Sequence, residues 1–251
     1  MLKMLIKVFI VYLVILHAVI AAFIFNPRVV DKIREILDFD KPEIGRNYFE
    51  MLEYHLRIDN SLLKIQDPVL FIGDSAIQSL CVPCIIPNAV NFGIGRDTTL
   101  GVLKRIRKYR SIHHAKAIVL QVGFNDLRYR SDNDIIDSYE KIFSLIPQDK
   151  LLVVGAIWPI DANVRKDLKD YHERIGILNH ALESKCYLRS NCKYFNIINI
   201  LSDNEGNLRP DLHIGDGVHL NADGYEIVIE AMRALFSRSL DKSLSSEWKS
   251  C

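Results

Sequence analysis

Five short, largely apolar runs, each bounded by turn residues, constrain this chain more than any other feature. They are Val69–Ile72 ending at Gly73, Ala89–Phe92, Ala117–Val122, Leu151–Val154 and Tyr194–Ile198. Runs of this kind lack the polar alternation of a half-solvated strand and read as strands buried on both faces. Helical patterns at Thr99–Tyr109, Ile135–Leu145, Lys166–Leu188 and Ala222–Phe236 fall between and after them. Strands alternating with helices build βαβ units and hence a mostly parallel sheet with helices on both faces. In such sheets functional residues collect at the carboxyl ends of the strands.

Length and charge narrow the rest. With 251 residues the chain has room for one globular domain plus something short. A hydrophobic content of 49% excludes global disorder. Lys and Arg number 32 against 31 Asp and Glu, a formal charge of +1, and the basic residues form no block, so no nucleic-acid partner is expected. Neither an internal repeat nor a long low-complexity tract is present.

The amino terminus stands apart. Val8 to Phe25 is a run of 18 residues without a formal charge, preceded by Lys3 and Lys7. As a helix it reaches roughly 27 Å, close to the hydrocarbon thickness of a bilayer. The lysines would stay cytoplasmic and send the rest of the chain across. The expectation is a retained transmembrane anchor. A cleaved signal peptide, with Ala18, Ala21 and Ala22 near the cut, is the alternative, and a buried core helix is a third reading. The expected organisation is an anchor or signal at 1–25 and a helical stem at 26–66. A catalytic domain at 67–237 and a polar tail at 238–251 follow. The stem includes an amphipathic run through Phe49, Leu52, Leu56 and Leu63.

Three motifs fall at strand ends. Gly73-Asp74-Ser75 follows the first strand and opens a helix, where N–H groups can stabilise developing negative charge; alone it is also an ordinary helix cap. Gly123-Phe124-Asn125-Asp126 follows the third strand and puts an Asn amide at the same rim, though alone it reads as a turn. Asp216-Gly217-Val218-His219 precedes the last helix. An Asp three residues before a His can hold the imidazole in one tautomer, leaving the other nitrogen free to take a serine proton.

Together these blocks resemble the SGNH (GDSL-type) hydrolases, a family of esterases and acylhydrolases. The resemblance covers about residues 67 to 237. A fourth block, Asn91-Phe92-Gly93-Ile94-Gly95-Arg96-Asp97-Thr98-Thr99, is similar to that of the platelet-activating-factor acetylhydrolase-like branch. It implies a flavodoxin-like three-layer α/β/α fold with a five-stranded parallel sheet in the order 2-1-3-4-5. It further implies Ser75 as nucleophile, His219 as general base and acid, and Asp216 as the residue orienting His219. The oxyanion hole would use the Ser75 N–H and the Asn125 side chain, and no metal or other cofactor is required. One position departs: Arg96 stands where the family carries a glycine. Either its backbone N–H still serves as the third donor, or the side chain points into solvent and the hole has two donors.

The implied activity is hydrolysis of short, acetyl-type esters, on small molecules or carbohydrate. An O-acyltransferase using the same triad and a non-catalytic binding protein on this fold are the rival readings. Oligomeric state is not readable from the sequence. Cys81-Val82-Pro83-Cys84 invites a redox or zinc reading, but the strand-to-helix turn such motifs use is already occupied by Gly73-Asp74-Ser75. Cys186 and Cys192 suit a disulfide closing a short loop, while Cys81 and Cys84 are either thiols or a pair. Asp74 and Asp126 are expected to bond loop N–H groups beside the site, and His213 to hold a loop. Trp158 either lines a pocket or packs in the core.

Overall fold

A computed structural model describes residues 2–25 and 46–239. The chain divides into two compact units, Met1–Pro42 and Glu43–Cys251. In the first, helix α1 (Leu2–Phe25) contains the uncharged amino-terminal run. The expected transmembrane helix is not supported: among the described residues, no helix is long and apolar enough to cross a membrane. Much of the expected stem and the whole tail from residue 240 lie outside the described residues.

The second unit opens with helix α2 (Arg46–Leu62), followed by strand β1 (Val69–Gly73) and the single turn of helix α3 (Ser75–Gln78). Then come β2 (Ala89–Gly93), α4 (Thr99–Ile106), β3 (Ala117–Gln121), α5 (Asp132–Leu145) and β4 (Leu151–Gly155). Helix α6 (Tyr171–Tyr187), β5 (Cys192–Phe195), α7 (Ile198–Leu201) and α8 (Ala222–Ser239) complete it. The five strands are parallel throughout and ordered β2-β1-β3-β4-β5, as the resemblance implied.

Alternation along each strand sends side chains to opposite faces and splits the core in two. On one face Leu70, Ile72, Ile118, Leu120, Leu152 and Val154 meet Val102 and Ile106 of α4, Tyr139 of α5 and Leu178 of α6. On the other, Val69, Phe71, Ala117, Val119 and Val153 meet Ile77 of α3 and Val228, Met232 and Phe236 of α8. The result is a three-layer α/β/α sandwich whose sheet has no solvated face, which is why its strands read as unbroken apolar runs.

Local boundaries shift where side chains intervene. The last strand stops at Phe195 because the Asn196 carboxamide oxygen accepts the Ile198 N–H (3.0 Å) and turns the chain into α7. The helix expected from Lys166 begins only at Tyr171, after a 3₁₀ turn at Lys166–Leu168. Helix α2 is rotated from the expected stripe: Tyr48, Leu52, His55, Asp59 and Leu62 are buried and Phe49 is exposed. Polar partners set that rotation. Asp59 accepts the N–H groups of Arg110 and Ser111 (2.8 and 3.0 Å), and His55 Nδ1 meets the Tyr109 hydroxyl at 3.2 Å.

Candidate active site

The carboxyl ends of β1 and β3 and the loop before α8 converge on one cleft. Ser75 is the first residue of α3, with Asp74 as its cap: the Asp74 Oδ1 accepts the Ala76 N–H at 3.0 Å. Ser75 Oγ lies 3.1 Å from His219 Nε2, across 144 residues of sequence. His219 Nδ1 lies 2.5 Å from Asp216 Oδ2, and the other Asp216 oxygen accepts the backbone N–H groups of His219 and Val218 (2.9 and 3.0 Å). Burial pushes the Asp216 carboxyl up, but these three bonds outweigh it and hold the group below the usual carboxylate range. An ionised Asp216 fixes the proton on Nδ1 and leaves Nε2 as an acceptor facing the hydroxyl.

A second His–Asp pair supports this loop. His213 Nδ1 accepts the N–H groups of Gly215 and Gly217 (3.0 and 3.3 Å), which puts its proton on Nε2, 3.3 Å from Asp161 Oδ2. The Asp161 N–H donates to the Gly217 carbonyl at 2.8 Å. Both side chains are buried, so His213 holds the loop, as its sequence position suggested.

The block from Asn91 to Thr99 is a set of ties to the turn carrying Ser75. Asn91 Nδ2 donates to the carbonyls of Ile77, Gln78 and Leu80 (2.6, 3.3 and 3.0 Å), closing the carboxyl end of α3. Gly93 is required by close approach: a Cβ there would stand 2.2 Å from the Gln78 nitrogen. The Gly95 N–H donates to Gln78 Oε1. Arg96 has φ 66°, the left-handed conformation that suits a glycine, and its side chain is exposed. An arginine held there costs about 1–2 kcal/mol. Its N–H, like that of Ser75, has no protein acceptor among the described residues. Arg96→Gly should therefore raise the melting temperature, and if the backbone N–H is the donor the sequence reading allowed for, ester turnover should be retained. Loss of turnover with the melt unchanged would assign the work to the guanidinium instead.

Asn125 Nδ2 donates to the Asp97 carbonyl at 3.0 Å, which ties the β3 loop to this block and leaves its second N–H free to donate. Asp126 accepts the Thr99 N–H (2.8 Å) and hydroxyl (2.5 Å) and pairs with Arg130. Burial pushes Asp126 up to about 6, against those bonds.

Burial also pushes Asp74 up, to about 7, opposed by the Ala76 N–H and reinforced by Asp97 and Asp126. Its ordinary value is 3.8, so between about 4 and 7 the folded state holds a proton that the unfolded chain has lost. Stability from this group is therefore full at low pH and falls as pH rises through that window. Asp74→Asn should flatten the fall and melt above the parent at pH 8. Melts at pH 5 and pH 8 check this; parallel pH dependence in both proteins would contradict it.

Beside Ser75 and His219 lies an open cleft walled by Val122, Phe124, Ile157, Trp158, Val218 and Tyr225, with Asp74, Ala76 and Gln121. Trp158 both lines the cleft and packs edge-on against Tyr225 (6.0 Å, 70°). Arg96 and Asn125 do not line this cleft. Among the described residues no cluster of His, Cys, Asp and Glu could hold a metal ion. Cys81–Cys84 and Cys186–Cys192 are both disulfides; Cys251 lies outside the described residues.

Sequence reasoning missed Arg105, buried to zero exposure beneath the site. Its guanidinium donates to Asp97 Oδ2 (2.8 Å), the carbonyls of Phe92 and Gly73 (2.7 and 2.8 Å) and the Tyr109 hydroxyl (2.9 Å). The available signal was its place on the apolar stripe of α4, three residues after Val102.

Comparison with known proteins bears on this arrangement. Residues 84–227, more than half of the chain, match the model of the GDSL-like Lipase/Acylhydrolase family; the match begins after Ser75. No curated protein matches the chain. Similar solved structures include a protein described as a platelet activating factor from Streptococcus pneumonia. It has a TM-score of 0.67 and 19% identity, over 78% of this chain and 94% of that one. A GDSL-like lipase from Bacteroides thetaiotaomicron gives 0.65 at 18% identity, over 75% of this chain and 98% of that one. An acetylxylan esterase from Geobacillus stearothermophilus gives 0.54 at 15% identity, over 70% and 95%. At such identities the likeness carries the fold.

Proposed function

Because this chain belongs to the GDSL-like Lipase/Acylhydrolase family, we propose that it is a serine esterase that hydrolyses short acyl esters. The observation that carries the reading is the relay Ser75 Oγ–His219 Nε2–Asp216, at 3.1 and 2.5 Å. His219 Nε2 takes the Ser75 proton as Oγ attacks the ester carbonyl carbon. The N–H groups of Ser75 and Arg96 and the free N–H of Asn125 are the donors for the oxyanion. Collapse of the tetrahedral intermediate expels the alkoxide, which takes the proton from His219, and leaves an acyl-Ser75. Water, deprotonated by His219, attacks that ester and regenerates the serine.

Two features support the finer reading. The His219 side chain is 46% exposed, so water reaches the acyl-enzyme directly; a transferase would have to exclude it. The cleft beside Ser75 is small, which suits short acyl groups over long lipid chains. A series of p-nitrophenyl esters from acetate to decanoate should peak at the short end. An excess of acceptor sugar should yield no acylated sugar. A peak at decanoate would contradict the size argument, and acylated sugar would make the protein a transferase. Carbohydrate acetates are included as substrates by analogy with the acetylxylan esterase of the same fold.

We further propose that the amino-terminal run tethers the protein to a membrane, with the catalytic unit on the extracytoplasmic side. The uncharged residues 8–25 and the lysines before them support this. So do exposed apolar side chains among the described residues of α1, including Phe9, Val11, Val14 and Ile15, and two disulfides suited to an oxidising compartment. Alkaline carbonate extraction should leave the protein in the membrane pellet; release to the supernatant would favour a cleaved signal.

A further inference from the structure

Gln121 ends β3 at the carboxyl edge of the sheet, on the face carrying Ala117 and Val119. Its side chain lies along Gly155 of the neighbouring strand, where a Cβ would stand 3.1–3.2 Å from three of its carbons. Gln121 Nε2 donates to the Ala156 carbonyl at 3.0 Å. That bond fixes which end of the amide is oxygen, since the flipped amide would set two acceptors against each other. Oε1 is left buried and without a partner, in a residue only 3% exposed. Such an orphan acceptor is destabilising until a donor reaches it.

Four buried side-chain atoms among the described residues are orphaned in this way: Gln121 Oε1, His172 Nε2, Tyr194 Oη and Ser202 Oγ. Of these four residues, Gln121 alone lines the cleft beside Ser75. Of the neighbouring polar atoms, Asp74 Oδ1 accepts from the Ala76 N–H, and the Tyr225 hydroxyl donates to the Ala76 carbonyl at 3.1 Å. The rest of that wall is apolar, with Val122, Ile157 and Trp158. On the esterase reading, the alcohol departs toward the exposed His219 side chain that protonates it, which leaves the acyl group to lie along the wall that holds Gln121.

We propose that Gln121 Oε1 accepts a hydrogen bond from the substrate, so that the cleft selects short acyl groups bearing a hydroxyl on an otherwise apolar body. The inference rests on the serine-esterase reading above. A site with a buried acceptor rejects an analogue that lacks the donor, because the acceptor stays unpaired in that complex.

The test compares kcat/KM of the full chain for three p-nitrophenyl esters: butanoate, 3-hydroxybutanoate and 3-methoxybutanoate. The methoxy group withdraws electrons much as the hydroxyl does but donates no hydrogen bond. The hydroxy ester should be preferred over both others by about tenfold. Gln121→Met should bring that ratio to about one, and Gln121→Glu, which keeps an acceptor oxygen, should retain a preference. Each ratio is taken within one protein, so a general loss of activity or of folded fraction cancels. If a variant is too poorly folded to assay, the hydroxy-to-methoxy ratio of the parent decides alone. Equal turnover of all three esters by the parent would overturn the inference and leave the esterase reading standing. So would a preference undiminished in Gln121→Met. Absence of any hydrolysis, with Ser75 inert to a phosphonylating probe, would overturn both.

Discussion

Ser75→Ala is expected to lower kcat/KM for p-nitrophenyl acetate by about 10⁴-fold or more, with little change in melting temperature. The size follows from the chemistry. Without Oγ no acyl-enzyme forms, and only donor N–H groups remain to assist direct attack by water. The small stability effect follows from the geometry. Ser75 Oγ has one side-chain partner, His219 Nε2, and that imidazole is already held by Asp216 and half open to water. Exposed hydrogen bonds of this kind contribute about 1 kcal/mol at most. A variant with a few per cent of parental activity would place the nucleophile elsewhere.

Arg105→Met is expected to cost about 3–5 kcal/mol of folding stability, a large part of what a domain of this size possesses. The methionine keeps most of the apolar volume, so the loss isolates the polar network. The buried Asp97 carboxylate would lose its ion pair with the guanidinium, and the carbonyl of Phe92 would lose its guanidinium donor. The Gly73 carbonyl keeps a second donor, the Ile94 N–H at 3.0 Å. The same change should lower ester turnover, because Arg105 ties Gly73, next to the Asp74–Ser75 turn, to the loop that carries Arg96. Urea unfolding monitored by circular dichroism gives the stability, and turnover at a temperature where the variant is folded gives the second effect. Adding Asp97→Asn should recover part of the loss, since the buried negative charge that the guanidinium balanced is then gone. A variant within 1 kcal/mol of the parent would contradict the account of this network.

What the sequence disclosed and concealed has a physical pattern. Strands buried on both faces must be apolar at every position, so Val69–Ile72 and Ala117–Leu120 announced themselves, and parallel pairing followed from the helices between them. The candidate site was legible because Ser75 and Asn125 sit beside turn residues at strand ends, and Asp216 and His219 lie three residues apart in the turn before the last helix. The supporting residues were not, because their roles depend on partners far along the chain. Arg105 sits among apolar neighbours on α4, and nothing local shows that Asp97, Phe92 and Gly73 converge on it. Gln121 closes an apolar run, and only the sheet order reveals that Gly155 makes room for it. The stripe of α2 was misphased because His55 and Asp59, polar in sequence, are buried by partners fifty residues away.

The central claim is that Ser75 is a nucleophile activated by His219. Its most direct test is covalent: the full chain is treated with a fluorophosphonate, and the modified peptide is identified by mass spectrometry. The account predicts one phosphonyl group, on Ser75, formed at a rate that His219→Ala lowers severely. An unlabelled protein, or a label on another residue with Ser75 untouched, would contradict it.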